Sequence, residues 1–259
     1  MARPERFELP TYRTAICCSI QLSYGRKVRW NYSNFCDKSQ PFLKGFCMFR
    51  DRADAGEALA RALAKYAGRD DVIVLAIPRG GVEVGAVVAK RLGADFDMIM
   101  CRKLQYPYTT ESGYGAICED GTVYINEAAA TGVSQSDIYR QIEIQKAELA
   151  HRIERLRSGR GLKDVRDKIV ILVDDGIAMG STMIAAIAML RKLHPKKIVV
   201  AVPTASPRIV EYLRSLADEV IALYTPEPFY AVADAYMNWY DVSDEEVLAI
   251  LRSMGENIE

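Results

Sequence analysis

The amino-acid sequence predicts an α/β fold of three layers, in which a parallel sheet of about five strands carries helices on both faces. From residue 48 onward, short and continuously apolar segments alternate with segments whose apolar residues recur every three or four positions. Glycine or proline follows many of these segments, as is typical of the ends of strands and helices. The chain has 259 residues, of which 50% are hydrophobic and 26% charged, so it can form the core of one or two domains.

The regular pattern begins with a predicted helix near residues 51–67. Its apolar residues fall on one face, and Gly68 can end it. The next segment, Val72–Ile77, is apolar throughout, which predicts a strand that is buried on both faces. The tetrapeptide at 78–81, Pro-Arg-Gly-Gly, then breaks the strand, because proline and glycine both disfavour its continuation.

A second helix near 82–92 and a second buried strand, Phe96–Met100, follow in the same order. Residues 101–125 are more polar and contain three glycines, which predicts a long loop. Within this loop, Tyr114–Cys118 and Thr122–Ile125 predict the two strands of a hairpin.

The second half of the pattern opens with a long amphipathic helix from about Ser134 to Arg157. Ser134 and Asp137 can cap its first turn, and Gly159 can end it. Strands and helices then alternate again, and a last helix is predicted in an aromatic tail. The predicted elements are strand Ile169–Val173, a helix near 181–193, strand Ile198–Val202, a helix near 207–216, strand Val220–Leu223 and a helix near 244–252.

The first 47 residues differ from the rest in charge and in pattern. They hold eight Lys and Arg against three Asp and Glu, whereas residues 48–259 are net acidic and the whole chain is neutral. No helical or strand periodicity is sustained in them. We therefore expect residues 1–47 to be an appended segment, poorly ordered or loosely docked, and residues 48–259 to be the folded domain.

The six cysteines include no Cys-x-x-Cys pair, so no zinc or thioredoxin-like motif is predicted. No signal peptide and no apolar run long enough for a membrane span is visible in the sequence. We therefore expect a cytoplasmic location with reduced cysteines, and we interpret Cys101 and Cys118 as buried packing residues.

The segment from Ile169 to Thr182 carries the most chemical information. A buried strand is followed directly by Asp174 and Asp175, and a short loop then leads to Ser181 and Thr182 at the start of a helix. Ligands of parallel α/β sheets bind at this end of the strands. The N–H groups and dipole of a helix start favour a phosphate, and paired carboxylates accept from sugar hydroxyls or bind Mg²⁺ through water. A ribose 5-phosphate therefore fits along this segment.

This segment resembles the signature of the type I phosphoribosyltransferase family, which has a hydrophobic strand, two acidic residues and a phosphate loop rich in Thr and Gly. The resemblance implies that family's fold for residues 48–259, with a flexible loop at 104–125 and a small hood from about 224 to 259. It implies that Asp174 and Asp175 hold the ribose hydroxyls of phosphoribosyl pyrophosphate (PRPP). The implied 5-phosphate loop consists of Ala178, Met179, Gly180, Ser181 and Thr182.

Two further matches follow the first two predicted strands. Arg79, Gly80 and Gly81 stand where the family places its pyrophosphate loop; the glycines allow close backbone approach, and Arg79 can bind a phosphate with two hydrogen bonds. Arg102 and Lys103 stand where the family commonly has basic residues that meet the pyrophosphate. The resemblance is closest to a little-characterised bacterial and archaeal subgroup, in which Phe-Arg-Asp-Arg, as at 49–52, is typical.

The implied reaction transfers the phosphoribosyl group from PRPP to a nitrogen nucleophile, such as a nucleobase, and releases pyrophosphate. Mg²⁺ is the implied cofactor, bound mainly through PRPP, with no direct protein ligand and with Asp174 contributing through water. The implied partners are PRPP and the nitrogen acceptor, with a homodimer as a possible assembly, and neither a membrane nor a nucleic acid is expected. Ala178 replaces the Asp of hypoxanthine–guanine members, which disfavours 6-oxopurines, and adenine stays open. Met179 replaces the usual Thr or Ser, which predicts a weaker phosphate site.

The tail leaves two interpretations open, because its aromatic residues suit either a stack on the acceptor base or a small core. These residues are Tyr224, Phe229, Tyr230 and Trp239. The alternative function is a PRPP-binding regulator without turnover, although the net acidity of residues 48–259 argues against one that reads nucleic acid. A hydrolase would need a nucleophile or a metal cluster, and a dinucleotide enzyme a G-x-G-x-x-G motif; the sequence indicates neither.

Overall fold

The computed structural model describes two parts of the chain that form separate compact units, residues 1–46 and residues 47–259. The described residues are 17–21, 27–31, 49–106 and 112–255. In the first unit, β1 (Cys17–Gln21) and β2 (Lys27–Asn31) form an antiparallel hairpin, which the sequence analysis did not predict. The other residues of the predicted appended segment lie outside the described residues.

The second unit alternates helices and strands in the predicted order. Its elements are α1 (Arg52–Ala62), β3 (Val72–Ala76), α2 (Gly80–Leu92), β4 (Asp95–Met98), β5 (Cys101–Gln105), β6 (Gly113–Cys118), β7 (Val123–Ile125), α3 (Gln135–Arg157), β8 (Ile169–Val173), α4 (Ser181–Lys192), β9 (Lys197–Thr204), α5 (Pro207–Leu213), β10 (Glu219–Tyr224) and α6 (Asp244–Ser253). The predicted helix near 51–67 is divided into α1 and a short 3-10 helix at 64–66. No helix in the described part of the chain combines the length and apolarity that crossing a bilayer requires.

The predicted parallel sheet is confirmed, with five strands in the order β10-β9-β8-β3-β4. All neighbouring pairs in it are parallel. β3 and β8 lie side by side with Ala76 opposite Val173, so the two chain segments that leave these strands start next to each other. This register brings residues 77–81 and 174–180 to one edge of the sheet.

Helices cover both faces of the sheet, as the three-layer prediction requires. Side chains along β3 alternate between two core clusters, with Val74 in one and Ile73 and Leu75 in the other. The first cluster contains residues of α1, α2, α3 and α6, and the second contains residues of α4 and α5. Because successive side chains of a strand point to opposite faces, an apolar residue at every position is what a strand between two helical layers needs.

The predicted hairpin is confirmed as β6 and β7, but residues 101–105 are a strand where the sequence analysis predicted a loop. β5 pairs antiparallel with β6 and completes a separate three-stranded sheet. Only part of β5 is buried: Cys101 and Leu104 are, whereas Lys103 is exposed. Because burial is uneven along β5, its residues show no regular apolar pattern from which a strand could be predicted. Residues 107–111 of the predicted flexible loop lie outside the described residues.

Cys101 and Cys118 are buried, as expected, but they form a disulfide. They lie directly opposite each other on β5 and β6, with their Cα atoms 4.1 Å apart. Direct cross-strand neighbours have the closest Cβ atoms in an antiparallel pair, which is why two cysteines there can join. The bond differs from the expectation of reduced cysteines, which took no account of strand register.

Candidate active site

Asp174 and Asp175 follow β8 directly, at the carboxyl edge of the parallel sheet. The backbone N–H of Asp175 donates to Oδ1 of Asp174 at 2.8 Å. Oδ2 of Asp175 accepts from Nε of Arg52 at 2.8 Å, and the Asp175 side chain remains 15% exposed. The protein therefore fixes one oxygen of each carboxylate and orients the pair as a unit.

The two carboxylates share a partly buried environment that disfavours two full negative charges. Burial raises the pKa of Asp174 well above its usual range, and the charge of Asp175 raises it further. Burial also raises the pKa of Asp175, although Arg52 acts against this rise. A ligand that donates hydrogen bonds to both carboxylates would relieve their repulsion, so the pair suits a diol better than a second anion.

The loop after β3 lies against this acidic pair. A Cβ atom on Gly80 would be 1.8 Å from Oδ2 of Asp175, and one on Gly81 would be 2.9 Å from Cα of Asp174. The peptide bond between Pro78 and Arg79 is cis. Only glycine lets the two loops approach this closely, so the segment predicted as a pyrophosphate loop lies directly against the acidic pair.

The loop from Ala178 to Thr182 continues the same edge of the sheet into α4. Gly180 has φ +79°, and a Cβ atom there would be 2.6 Å from the Ile209 side chain, so the turn needs glycine. Met179 points outward and is 54% exposed, whereas Ser181 is buried at the first position of α4. The loop therefore turns the methionine side chain to solvent and keeps the Ser181 side chain buried.

The starts of α2 and α4 differ from those of the other described α-helices. Side chains cap the other four: Asp51 caps α1, Ser134 α3, Ser206 α5 and Ser243 α6. α2 begins after Arg79 and α4 after Gly180, and neither has a side-chain cap. Their first N–H groups have no side-chain acceptor, and together with the helix dipole they favour an anion on each side of the acidic pair.

The two predicted basic residues after the second strand lie on β5 and face different partners. Lys103 is exposed and acts to lower the pKa of Asp174, which places its charge within electrostatic range of the acidic pair. Nε of Arg102 donates to Oε1 of Gln145 on α3 at 2.7 Å. The structure thus brings Lys103 toward the carboxylates and ties Arg102 to the long helix.

Besides Arg79 and Arg102, a third arginine lies near the site: Arg152, which the sequence analysis missed. Arg152 lies two turns after Gln145 on α3, on the same side of the helix. Burial lowers its pKa, and the charges of Arg102 and Arg79 lower it further. Three arginines from α3, β5 and the loop before α2 therefore lie within electrostatic range of one another, and Asp244, 3.6 Å from Arg79, offsets part of their repulsion.

The aromatic tail contacts the site through the predicted Trp239 and through Tyr236 and Tyr240, which the sequence analysis had not singled out. The Tyr236 hydroxyl donates to the backbone oxygen of Asp175 at 2.5 Å, and burial raises the pKa of this tyrosine strongly. Tyr240 hydrogen-bonds Glu83 on α2. The guanidinium of Arg52 lies 4.0 Å from the ring centre of Trp239. The tail thus contacts the backbone and the side-chain partner of the acidic pair.

The four aromatic residues predicted for the tail have different environments. Trp239 is 38% exposed and lies on Arg52, next to the acidic pair. Tyr224 packs against a small cluster that includes Phe49 and Tyr236. Tyr230 is 81% exposed, and Phe229 is partly buried. The small-core interpretation therefore holds for Tyr224, and the stacking interpretation stays a prediction for the outward-facing residues.

The residues that sequence reasoning missed are Arg52, Glu83, Arg152 and Tyr236. Each is polar, lies on a helix or in the tail, and reaches the site only through tertiary contacts. The one available sequence signal was the position of Arg52 at the start of a predicted helix, within the Phe-Arg-Asp-Arg segment.

Comparisons with known proteins show the family of this chain. A model of the phosphoribosyl transferase domain matches residues 50–223. A Mycobacterium tuberculosis protein with the provisional name of a phosphoribosyl transferase is 41% identical over 209 residues, which cover 79% of this chain and 46% of that protein. The chain thus spans about half the length of the curated relatives it matches.

Among solved structures, the crystal structure of TT1426 from Thermus thermophilus is 41% identical to this chain. The match has a TM-score of 0.66 and covers 80% of this chain and 98% of that one. The domain match extends from the start of α1 into β10, across the whole parallel sheet. This chain therefore belongs to the phosphoribosyl transferase domain family.

Proposed function

We propose that this protein is a phosphoribosyltransferase that transfers the 5-phosphoribosyl group of PRPP to a nitrogen nucleophile, with a nucleobase as the acceptor. The observation that carries the proposal is the edge of the parallel sheet between β3 and β8. There, two helix starts without side-chain caps flank a pair of adjacent carboxylates. This order of anion site, diol site and anion site matches the pyrophosphate, ribose and 5-phosphate of PRPP.

Each part of PRPP has a stated partner in this proposal. The 5-phosphate binds at the start of α4, where Ser181 and Thr182 supply N–H groups and hydroxyls. The ribose 2- and 3-hydroxyls donate to Asp174 and Asp175. The pyrophosphate binds at the Gly80 loop, where the arginines and lysine of the site balance its charge. These basic residues are Arg79, Arg102, Lys103 and Arg152.

The reaction exchanges one bond at the anomeric carbon for another. The bond to the pyrophosphate oxygen breaks, and its electron pair leaves with pyrophosphate. A nitrogen lone pair of the acceptor forms the new bond, and that nitrogen then loses a proton. Because the transition state has oxocarbenium character, the nearby carboxylates stabilise its positive charge and the basic residues stabilise the leaving group.

The protein residues fit Mg²⁺ only in combination with the substrate. The described residues hold no group of three or more His, Cys, Asp or Glu side chains arranged for a metal ion. Mg²⁺ takes six oxygen ligands and usually keeps waters and substrate phosphates among them, so Asp174 and Asp175 could serve as partners through water. When bound, the ion would neutralise charge on the departing pyrophosphate.

The acceptor would lie over the outward-facing residues of the site. Trp239, whose ring is partly exposed beside the acidic pair, offers a surface for an aromatic ring. Ala178 is exposed and carries no group that could hydrogen-bond a purine oxygen. We therefore propose an acceptor other than a 6-oxopurine.

The experiment is a pyrophosphate-release assay with the full chain, PRPP, Mg²⁺ and a panel of nucleobases, combined with calorimetric PRPP binding. Release that depends on one base supports the transferase, and Asp174→Asn should abolish it. PRPP binding without base-dependent release would overturn the transferase and favour a PRPP-binding regulator. Absence of PRPP binding would overturn the site assignment as well.

A further inference from the structure

The segment Phe49–Arg52 holds three residues with evident structural roles and one without. Phe49 packs in a small core with Tyr236, with ring centres 5.8 Å apart. Arg50 is exposed and pairs with Asp54, and Asp51 caps the first turn of α1. Arg52 instead turns inward from the first position of α1 and is only 3% exposed.

Arg52 contacts residues in and around the candidate active site. Nε donates to Oδ2 of Asp175 at 2.8 Å, and NH1 donates to the backbone oxygen of Tyr240 at 3.0 Å. NH1 also lies 3.4 Å from Oε2 of Glu83 on α2. The ring of Trp239 covers the guanidinium from one side. Arg52 therefore links the acidic pair, the helix that starts at the Gly80 loop, and the aromatic tail.

Stability alone is a poor explanation for a charge in this position. A buried ion pair often contributes no more than apolar side chains of the same size, because removing both charges from water offsets their attraction. The neighbouring Arg50 shows that the same segment can hold an arginine in water with a simple surface partner. The specific value of Arg52 lies in the directed N–H groups of its planar guanidinium, which fix an acceptor in one orientation.

We infer that Arg52 is a positioning residue that orients the Asp175 carboxylate for the ribose hydroxyls of the ligand and fixes the Trp239 ring beside it. With Oδ2 bound to Arg52, the other oxygen of Asp175 is the one left to accept a hydroxyl. Gly80 lies against the same carboxylate, so Asp175 has little freedom to adopt another rotamer. The identity of the ligand in this inference rests on the proposed function, whereas the orientation of Asp175 by Arg52 does not.

The first test needs no ligand. The Nε–H signal of Arg52 in a ¹⁵N spectrum of the full chain, assigned by its loss in Arg52→Lys, reports the hydrogen bond to Asp175 directly. We expect slow exchange with water in the natural protein, and a shifted or fast-exchanging signal in Asp175→Asn. Asp54→Asn, which removes the partner of Arg50, is the matched control and should leave the Arg52 signal unchanged.

The second test measures PRPP affinity by calorimetry in the presence of Mg²⁺. We expect Arg52→Gln to weaken binding roughly 10- to 150-fold, as for loss of a hydrogen bond to a charged group. Arg52→Lys should recover part of the loss, since it keeps the charge but not the directed Nε–H group. The double variant with Asp175→Asn should bind no more weakly than Asp175→Asn alone, because Arg52 acts through that carboxylate. Arg50→Gln is the control and should bind PRPP as tightly as the natural protein.

The outcomes separate this inference from the proposed function. If the natural protein binds PRPP and a folded Arg52→Gln or Arg52→Lys variant binds it equally well, the positioning role is wrong. Losses that add fully in the double variant would also overturn it, because they would mean that Arg52 acts independently of Asp175. If the natural protein does not bind PRPP, the proposed function fails, and the ¹⁵N signal decides alone: its sensitivity to Asp175→Asn supports the inference and its indifference overturns it.

Discussion

A Cβ atom on Gly80 would lie 1.8 Å from Oδ2 of Asp175, so the loop after β3 and the acidic residue after β8 touch with no space for a side chain between them. The two residues are far apart in sequence and meet because β3 and β8 are neighbours in the parallel sheet. This contact joins the proposed pyrophosphate and ribose sites. Their separation is therefore set by the sheet register.

Gly80→Ala should damage the site, because its methyl group must displace the Asp175 carboxylate from Arg52. We expect PRPP affinity in calorimetry to fall by about tenfold or more, the size of one lost charged hydrogen bond. Gly161→Ala is the matched control, since nothing lies within 4 Å of the added atom and its φ is not positive. Natural affinity in Gly80→Ala would contradict the close contact.

Asp175→Asn should cost more stability than Asp174→Asn. Asp174→Asn removes a carboxylate whose pKa is raised by burial and by its neighbour, so the free energy of unfolding should stay equal or rise. Asp175→Asn relieves a similar burial penalty but leaves the buried Arg52 without its nearest carboxylate, so it should lower the free energy of unfolding by about 1 kcal/mol relative to Asp174→Asn. Urea unfolding measures both. Both variants should weaken PRPP binding. If both bound PRPP as tightly as the natural protein, the assignment of Asp174 and Asp175 to the ribose site would be wrong.

Met179→Thr should tighten PRPP binding. Met179 is exposed in the phosphate loop and offers no hydrogen-bond donor, whereas a threonine hydroxyl there could donate to the 5-phosphate. A hydrogen bond to a charged acceptor is worth roughly 1.5–3 kcal/mol, so we expect an affinity gain of about tenfold or more in calorimetry. The exposed position predicts little change in melting temperature. Weaker binding would mean that Met179 shapes the loop.

Arg152→Gln should weaken binding of pyrophosphate and PRPP without destabilising the protein. Its pKa is lowered by burial and by the nearby charges of Arg102 and Arg79, so removing its charge relieves repulsion in the free protein. We expect about tenfold weaker pyrophosphate binding in calorimetry. Arg140→Gln, at an exposed position of the same helix, is the control. If both variants bound pyrophosphate with equal affinity, Arg152 would have no role in pyrophosphate binding.

Glu219 should contribute to stability at neutral pH and lose its contribution in acid. Burial acts to raise the pKa of Glu219, but hydrogen bonds from Lys197, Lys65 and Tyr66 lower it to about 2. A carboxyl whose folded-state pKa is depressed stabilises above its unfolded-state pKa of about 4.5 and loses this effect as the pH falls toward 2. Because the Lys65 side chain is largely exposed, we expect only about 1–2 kcal/mol at pH 7.

Urea unfolding of Glu219→Gln and the natural protein between pH 7 and pH 3 measures this contribution. The difference in the free energy of unfolding should shrink steadily below about pH 4.5. Glu211→Gln is the control, because Glu211 is exposed and pairs with Arg214 three residues further along the chain. A difference that is independent of pH would contradict the prediction.

The sequence predicted the parallel sheet because a strand between two helical layers needs an apolar side chain at every position, as β3 and β8 have. The acidic pair and the loop to Thr182 could be found for a related reason, since they follow β8 within one continuous segment of chain. β5 was missed because Arg102 and Lys103 interrupt its apolar pattern, and the disulfide was missed because it depends on the register of β5 and β6.

By itself the sequence determined the layers of the fold and the residues of the two loops, since these follow from the local order of apolar, acidic and glycine residues. Only the tertiary structure decided that Arg52 and Arg152, from α1 and α3, join the site, and that Tyr236 binds the backbone of Asp175. Side chains distant along the chain meet through helix packing and strand register. A local sequence pattern does not predict these contacts, because a polar residue on a helix looks the same in the sequence whether it faces the site or the solvent.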